Sequence, residues 1–176
     1  MLTQLRNDRL LFFTRLALTL LLGLAIFAGV ALSLTIPIIF LKEGNLAAKI
    51  AANGLPVSST PWVALMVALM AVIAALAFFF VRHLRRIVDS VSQGDPFVPI
   101  NADRLRHMAW LALAMQAILI PLTGLIVWFD ALPQRANVHY SDNNSFGGLI
   151  LALLLFVLAR VFRVGAAMRD ELEGTV

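Results

Sequence analysis

Long apolar runs, broken by short polar intervals, make up most of this chain. Four of them, at about 11–41, 61–82, 107–129 and 146–163, contain no acidic residue and few basic ones. A helix needs about 20 mainly apolar residues to cross the hydrocarbon core of a bilayer. The pattern therefore predicts an all-α membrane protein with four transmembrane helices in two antiparallel hairpins, the first helix being bent near Pro37.

The second apolar run continues as an amphipathic segment. Apolar and charged side chains recur at helical spacing on separate faces: Leu84, Ile87, Val88 and Val91 on one, Arg82, Arg85, Arg86 and Asp89 on the other. Helix two is therefore expected to continue to about Gln93, and Gly94 with Asp95-Pro96 is expected to end it. Asn101 is expected to cap helix three, with Asp103 in its first turn.

The interval between helices two and three has an apolar, proline-stiffened centre, Phe97-Val98-Pro99-Ile100. Each Å² of apolar surface left in water costs about 25 cal/mol, so Phe97 is expected to be substantially buried in a monomer or an oligomer. Its cover is either internal or a partner protein, and lipid headgroups compete for the nearby arginines. The internal cover is expected to be the helix ends or an apolar stripe of the last helix, Val161, Val164, Met168 and Leu172.

Composition agrees with the membrane assignment and removes several classes of chemistry. Hydrophobic residues make up 61% of the 176 residues and charged ones 14%, which is far from the composition of soluble domains. Residues 1–176 are expected to form a single membrane domain. The chain has no cysteine, so disulfides, thiolate metal sites and cysteine nucleophiles are excluded.

The basic residues predict the orientation in the membrane. Eleven arginines fall on one side: Arg6, Arg9, Arg15, Arg82, Arg85, Arg86, Arg104, Arg106, Arg160, Arg163 and Arg169. Only Lys42, Lys49 and Arg135 fall on the other. Basic residues are enriched on the cytoplasmic side, so both termini and the loop 83–106 are expected inside, and 42–60 and 130–145 outside. Helices two and four are then expected to extend into the cytoplasm.

Few residues have the arrangement that catalysis or metal binding requires. The spans contain no Asp, Glu or Lys, and Gln116 beside the helix-breaking Pro121 is the clearest mid-membrane polar site. His83 and His107 are expected to approach each other, while His139 falls on the opposite side. No metal, cofactor or catalytic residue is expected, and the chain is not predicted to be an enzyme.

Two segments, GDPFVPINADRLRHMAW and FRVGAAMRDELEGTV, resemble a bacterial membrane family catalogued as domain of unknown function 2975. The resemblance covers essentially the whole chain. It implies four transmembrane helices, residence in the bacterial cytoplasmic membrane and, in many genomes, a neighbouring gene for a small helix-turn-helix regulator. It implies no established activity.

Two functions remain open. The first is a regulatory or sensor protein whose inner face docks a small cytoplasmic DNA-binding regulator, without binding nucleic acid itself. The docking residues are expected to be Arg85, Arg86, Asp95, Phe97, Asn101, Arg104, Arg106 and Arg169. The alternative is a small transporter, channel subunit or resistance protein that uses Gln116 and Pro121. Small residues such as Gly23 and Gly29 also permit a homo-oligomer in the bilayer.

Overall fold

A computed structural model describes residues 2–42, 59–92, 97–130 and 146–173, and residues 44, 48 and 52 between them. The long elements are α1 (Leu2–Leu41), α2 (Thr60–Ser92), α3 (Pro99–Asp130) and α4 (Gly147–Glu173). All four helices are long and apolar enough to cross a membrane. The predicted all-α fold with four membrane-spanning helices is therefore confirmed. The direction in which the helices cross the membrane stays a prediction.

α2 ends at Ser92, close to the predicted Gln93, because its apolar and charged faces keep helical spacing beyond Arg82. α3 begins earlier than predicted, at Pro99. Proline suits the first helical position, since its ring presets φ and its missing N–H is not needed there. The backbone N–H of Asn101 donates to the Val98 carbonyl at 2.9 Å.

The predicted cap of helix three is wrong. Asn101 is the third residue of the helix that starts at Pro99. An N-cap residue precedes the first turn, so Asn101 is not the N-cap of this helix. Asp103 likewise falls beyond the first turn, and the first turn contains no acidic residue. Both side chains instead contact neighbouring helices, as described below.

Each helix packs against the next one along the chain, in the order α1, α2, α3, α4. Along each pair of neighbours, residue numbers rise on one helix and fall on the other. α1 meets α2 through Arg15 with Asp89 and Gly29 with Ala74, and α2 meets α3 through Trp62 with Trp128 and His83 with His107. α3 meets α4 through Asp103 with Arg163 and Trp110 with Phe156. Neighbouring helices are therefore antiparallel. Within the described residues α1 packs only on α2, so the helices form an open row.

The best-packed part of the row is the half where α2 ends and α3 begins. Its buried apolar cluster contains many alanines, which let the helix backbones approach closely: Ile87, Leu105, Met108, Ala109, Ala112, Ala152, Leu155 and Ala159. All four helices have one terminus at the side of the molecule where α2 and α4 end and α3 begins. We call this side the arginine-rich end. It carries Arg82, Arg85, Arg86, Arg104, Arg106, Arg160, Arg163 and Arg169.

Candidate functional site

A buried hydrogen-bond network joins the end of α2 to the start of α3. Asn101 is 0% exposed, and its Nδ2 donates to the Ser90 Oγ at 2.7 Å. The Ser90 hydroxyl donates in turn to the Ile87 carbonyl at 2.7 Å. A buried amide that bonds in this way avoids the cost of about 1–3 kcal/mol that an unsatisfied polar group incurs.

Arg104 completes the network on its other side. Its Nη1 donates to the Asn101 Oδ1 at 2.9 Å and to the Arg86 carbonyl at 3.1 Å. We refer to Asn101, Ser90 and Arg104 as the Asn101 network. Because it bonds to carbonyls in the last turns of α2, it fixes the two helix ends that flank residues 93–96.

Two ion-pair groups hold the outer helices at the same end. The Asp103 carboxylate lies 3.0 Å from the Arg163 Nη2, and this pair joins α3 to α4. It also lies 3.6 Å from the Nη2 of Arg106, which is on α3 itself. The Asp89 carboxylate lies 3.0 Å from the Arg15 Nε, which ties α1 to α2, and Arg15 also donates to the Ser92 hydroxyl. All these charged groups are partly exposed, so solvent weakens each pair.

Phe97 packs against the last helix. Its ring centroid lies 5.3 Å from that of Phe162, and the ring also faces Gly165. Phe97 is 41% exposed, so the expectation that it is substantially buried is met only in part within one chain.

The internal cover comes from the last helix, but the contacts are not with the predicted stripe. Within the predicted stripe, Val161, Val164 and Met168 are exposed, and the side chain of Leu172 lies outside the described residues. Phe162 and Gly165 make the contact with Phe97, and Gly165 lies one helical turn from Val161.

Replacing Gly165 with alanine is expected to lower stability, because the new Cβ would lie 2.9 Å from the Phe97 Cδ1. Overpacking of this kind costs about 1–3 kcal/mol, against a gain in helix propensity of about 0.5–1 kcal/mol. The melting temperature in detergent measures the balance. Gly23→Ala is the matched control, since nothing lies within 4 Å of its added Cβ. A Gly165→Ala protein as stable as the control would contradict this contact.

A family model for proteins of unknown function, DUF2975, matches residues 45–176. The chain belongs to the DUF2975 family. The matched part of this DUF2975 protein contains α2, α3 and α4, and so the Asn101 network and Asp103, whereas α1 precedes it. No curated protein and no solved structure matches the chain.

The predicted docking residues of the DUF2975 protein differ in exposure. Arg86 and Arg106 are exposed, Arg85 is half-buried, and Arg169 is exposed near the end of α4. Asp95 lies outside the described residues. Asn101 is fully buried, and Arg104 is half-buried and bonds internally. Sequence reasoning missed Ser90, whose only signal was a polar residue on the α2 extension.

The other predicted polar groups occupy separate places in the DUF2975 protein. Gln116 is half-buried and its side chain packs directly on Gly148, while Pro121 is exposed on α3. His83 and His107 do meet, with ring centroids 5.7 Å apart and nearly parallel planes. Among the described residues no group of three or more His, Cys, Asp or Glu side chains is arranged to hold a metal.

Proposed function

We propose that this DUF2975 protein is a membrane-resident regulatory protein that holds a small cytoplasmic regulator at its arginine-rich end. One observation carries the proposal. Apolar side chains remain exposed there at and just before the start of α3, which the Asn101 network joins to the end of α2. Phe97 is 41% exposed and Ile100 is 55% exposed, and Arg86 is exposed in the part of α2 that extends beyond Arg82.

This combination suits a protein partner. A pre-ordered surface loses little conformational freedom on binding, so more of the gain from burying Phe97 and Ile100 remains as affinity. Arg86 has an exposed guanidinium that would orient an acidic partner surface and accelerate encounter. The cytoplasmic location of this end follows from the excess of arginine and belongs to the proposal.

The transport alternative has less support. Gln116 was its main residue, and the side chain packs on Gly148 at the start of α4. That contact is typical of close helix packing, and it leaves the amide with a structural role.

Capture from membranes with a matched pair of variants tests the proposal. Arg86→Gln combined with Ile100→Ser should abolish recovery of the regulator captured by the parent, while membrane abundance stays unchanged. Arg160→Gln, which removes an arginine of α4 with the same change of charge, should leave capture intact. The complex of the parent should weaken at high salt, because charges separated by more than about 8–10 Å of electrolyte are screened.

Two results would refute the docking role. One is equal recovery of the same regulator by the parent and the double variant. The other is a failure of the parent to recover any soluble regulator at low salt.

A further inference from the structure

A cleft between α3 and α4 carries charge that the proposed docking role does not use. It has a volume of about 580 Å³ and is lined by Arg106, Arg160, Arg163, Phe156, Val157, Ala159 and Val164. Arg106 comes from α3, and the other lining residues come from α4. Cationic and apolar side chains therefore share one opening on the flank of the helix row.

The charges of this cleft are incompletely neutralised. Asp103 lies within ion-pair distance of Arg163 and Arg106, at 3.0 and 3.6 Å, and its carboxylate also holds the Arg163 guanidinium in place. Arg160 makes no ion pair among the described residues. Three guanidiniums less one carboxylate leave a local charge of about +2, which favours an anionic ligand.

The positions of the lining residues give the cleft a direction along the helix axis. Phe156 and Val157 lie about one turn deeper in α4 than Arg160, and Arg163 lies nearer the helix end. At about 1.5 Å per residue, the step from Phe156 to Arg163 covers about 10 Å. The cleft therefore presents its arginines nearer its outer end, and Phe156 and Val157 towards the middle of the span.

An aromatic pair marks the depth at which the polarity changes. Trp110 lies one turn beyond Arg106 on α3, is 60% exposed, and packs edge-to-face on Phe156 with ring centroids 5.5 Å apart. Exposed tryptophans concentrate where hydrocarbon meets headgroups. The arginines of the cleft would then lie at headgroup level, with Phe156 and Val157 at the start of the acyl chains.

We infer that this cleft is a binding site for an anionic phospholipid. Arg160 and Arg163 bind its phosphate, and Phe156 and Val157 contact the first part of its acyl chains. Guanidinium groups bind phosphate oxygens through paired, charge-assisted hydrogen bonds, and basic pockets between transmembrane helices are typical of such lipids. The local charge fits a headgroup with two phosphates better than one with a single phosphate.

Native mass spectrometry of the purified full-length protein tests this site. The probes are a phospholipid whose headgroup has two phosphates, a phosphatidylglycerol and a phosphatidylcholine, each titrated in the same detergent. The parent should retain the lipid with two phosphates about tenfold more strongly than phosphatidylcholine, a difference of about 1.4 kcal/mol. Arg160→Gln should reduce this tenfold preference to about threefold or less.

The controls separate the site from non-specific attraction and from the docking role. Arg86→Gln removes the same charge at the same end but outside the cleft, and it should leave lipid retention unchanged. Millimolar inorganic phosphate should not displace the lipid, because contacts of the acyl chains with Phe156 and Val157 also contribute to binding. Equal retention of all lipids, equal loss in both variants, or displacement by free phosphate would each overturn the lipid site.

Discussion

Asn101→Leu is expected to destabilise the protein more than any other single substitution at the arginine-rich end. Leucine fills most of the space but can neither donate to Ser90 nor accept from Arg104, which bond to Asn101 at 2.7 and 2.9 Å. Losing both bonds at a residue that is 0% exposed should cost about 2–4 kcal/mol. The melting temperature in detergent should fall by about 5–10 °C.

Asn101→Asp serves as the companion variant. It keeps the side-chain shape and the acceptor for Arg104, loses the donor to Ser90, and adds a buried negative charge that the Arg104 guanidinium offsets. Its melting temperature should lie between those of the parent and Asn101→Leu. A leucine variant as stable as the parent would show that the Asn101 network does not hold α2 and α3 together.

Arg104→Gln and Arg106→Gln are expected to differ in effect, although the residues are only two positions apart. Arg104 makes two hydrogen bonds to α3 and α2 groups, whereas Arg106 lies 3.6 Å from Asp103 and is half exposed. Loss of the Arg104 bonds should cost about 1–2 kcal/mol, after allowing for partial exposure. Loss of the Arg106 pair should cost at most about 0.5 kcal/mol.

Thermal unfolding of the two single variants under identical conditions measures this difference. The charge change is the same in both, so a general effect of lost charge at the arginine-rich end cancels in the comparison. Equal melting temperatures would mean that the hydrogen bonds of Arg104 contribute nothing beyond its charge. From sequence alone, both arginines looked like interchangeable members of a docking surface.

The role of Asn101 shows where sequence reasoning failed. The rule that asparagine caps a helix uses only the residues next to it in the chain. The partner that decides its position, Ser90, lies on the other helix, and the bond forms only when α2 and α3 pack. Pro99 was the local signal for the true helix start, since proline is favoured at the first helical position.

The sequence by itself determined the four helices and the extension of α2 to Ser92, and it allowed His83 to meet His107. These follow from the hydropathy of about 20 consecutive residues, from helical spacing and from short connections. Only the tertiary structure decided which face of each helix meets its neighbour. In a membrane both lipid and protein interior are apolar, so periodicity does not distinguish Phe162, which covers Phe97, from Val161, which remains exposed.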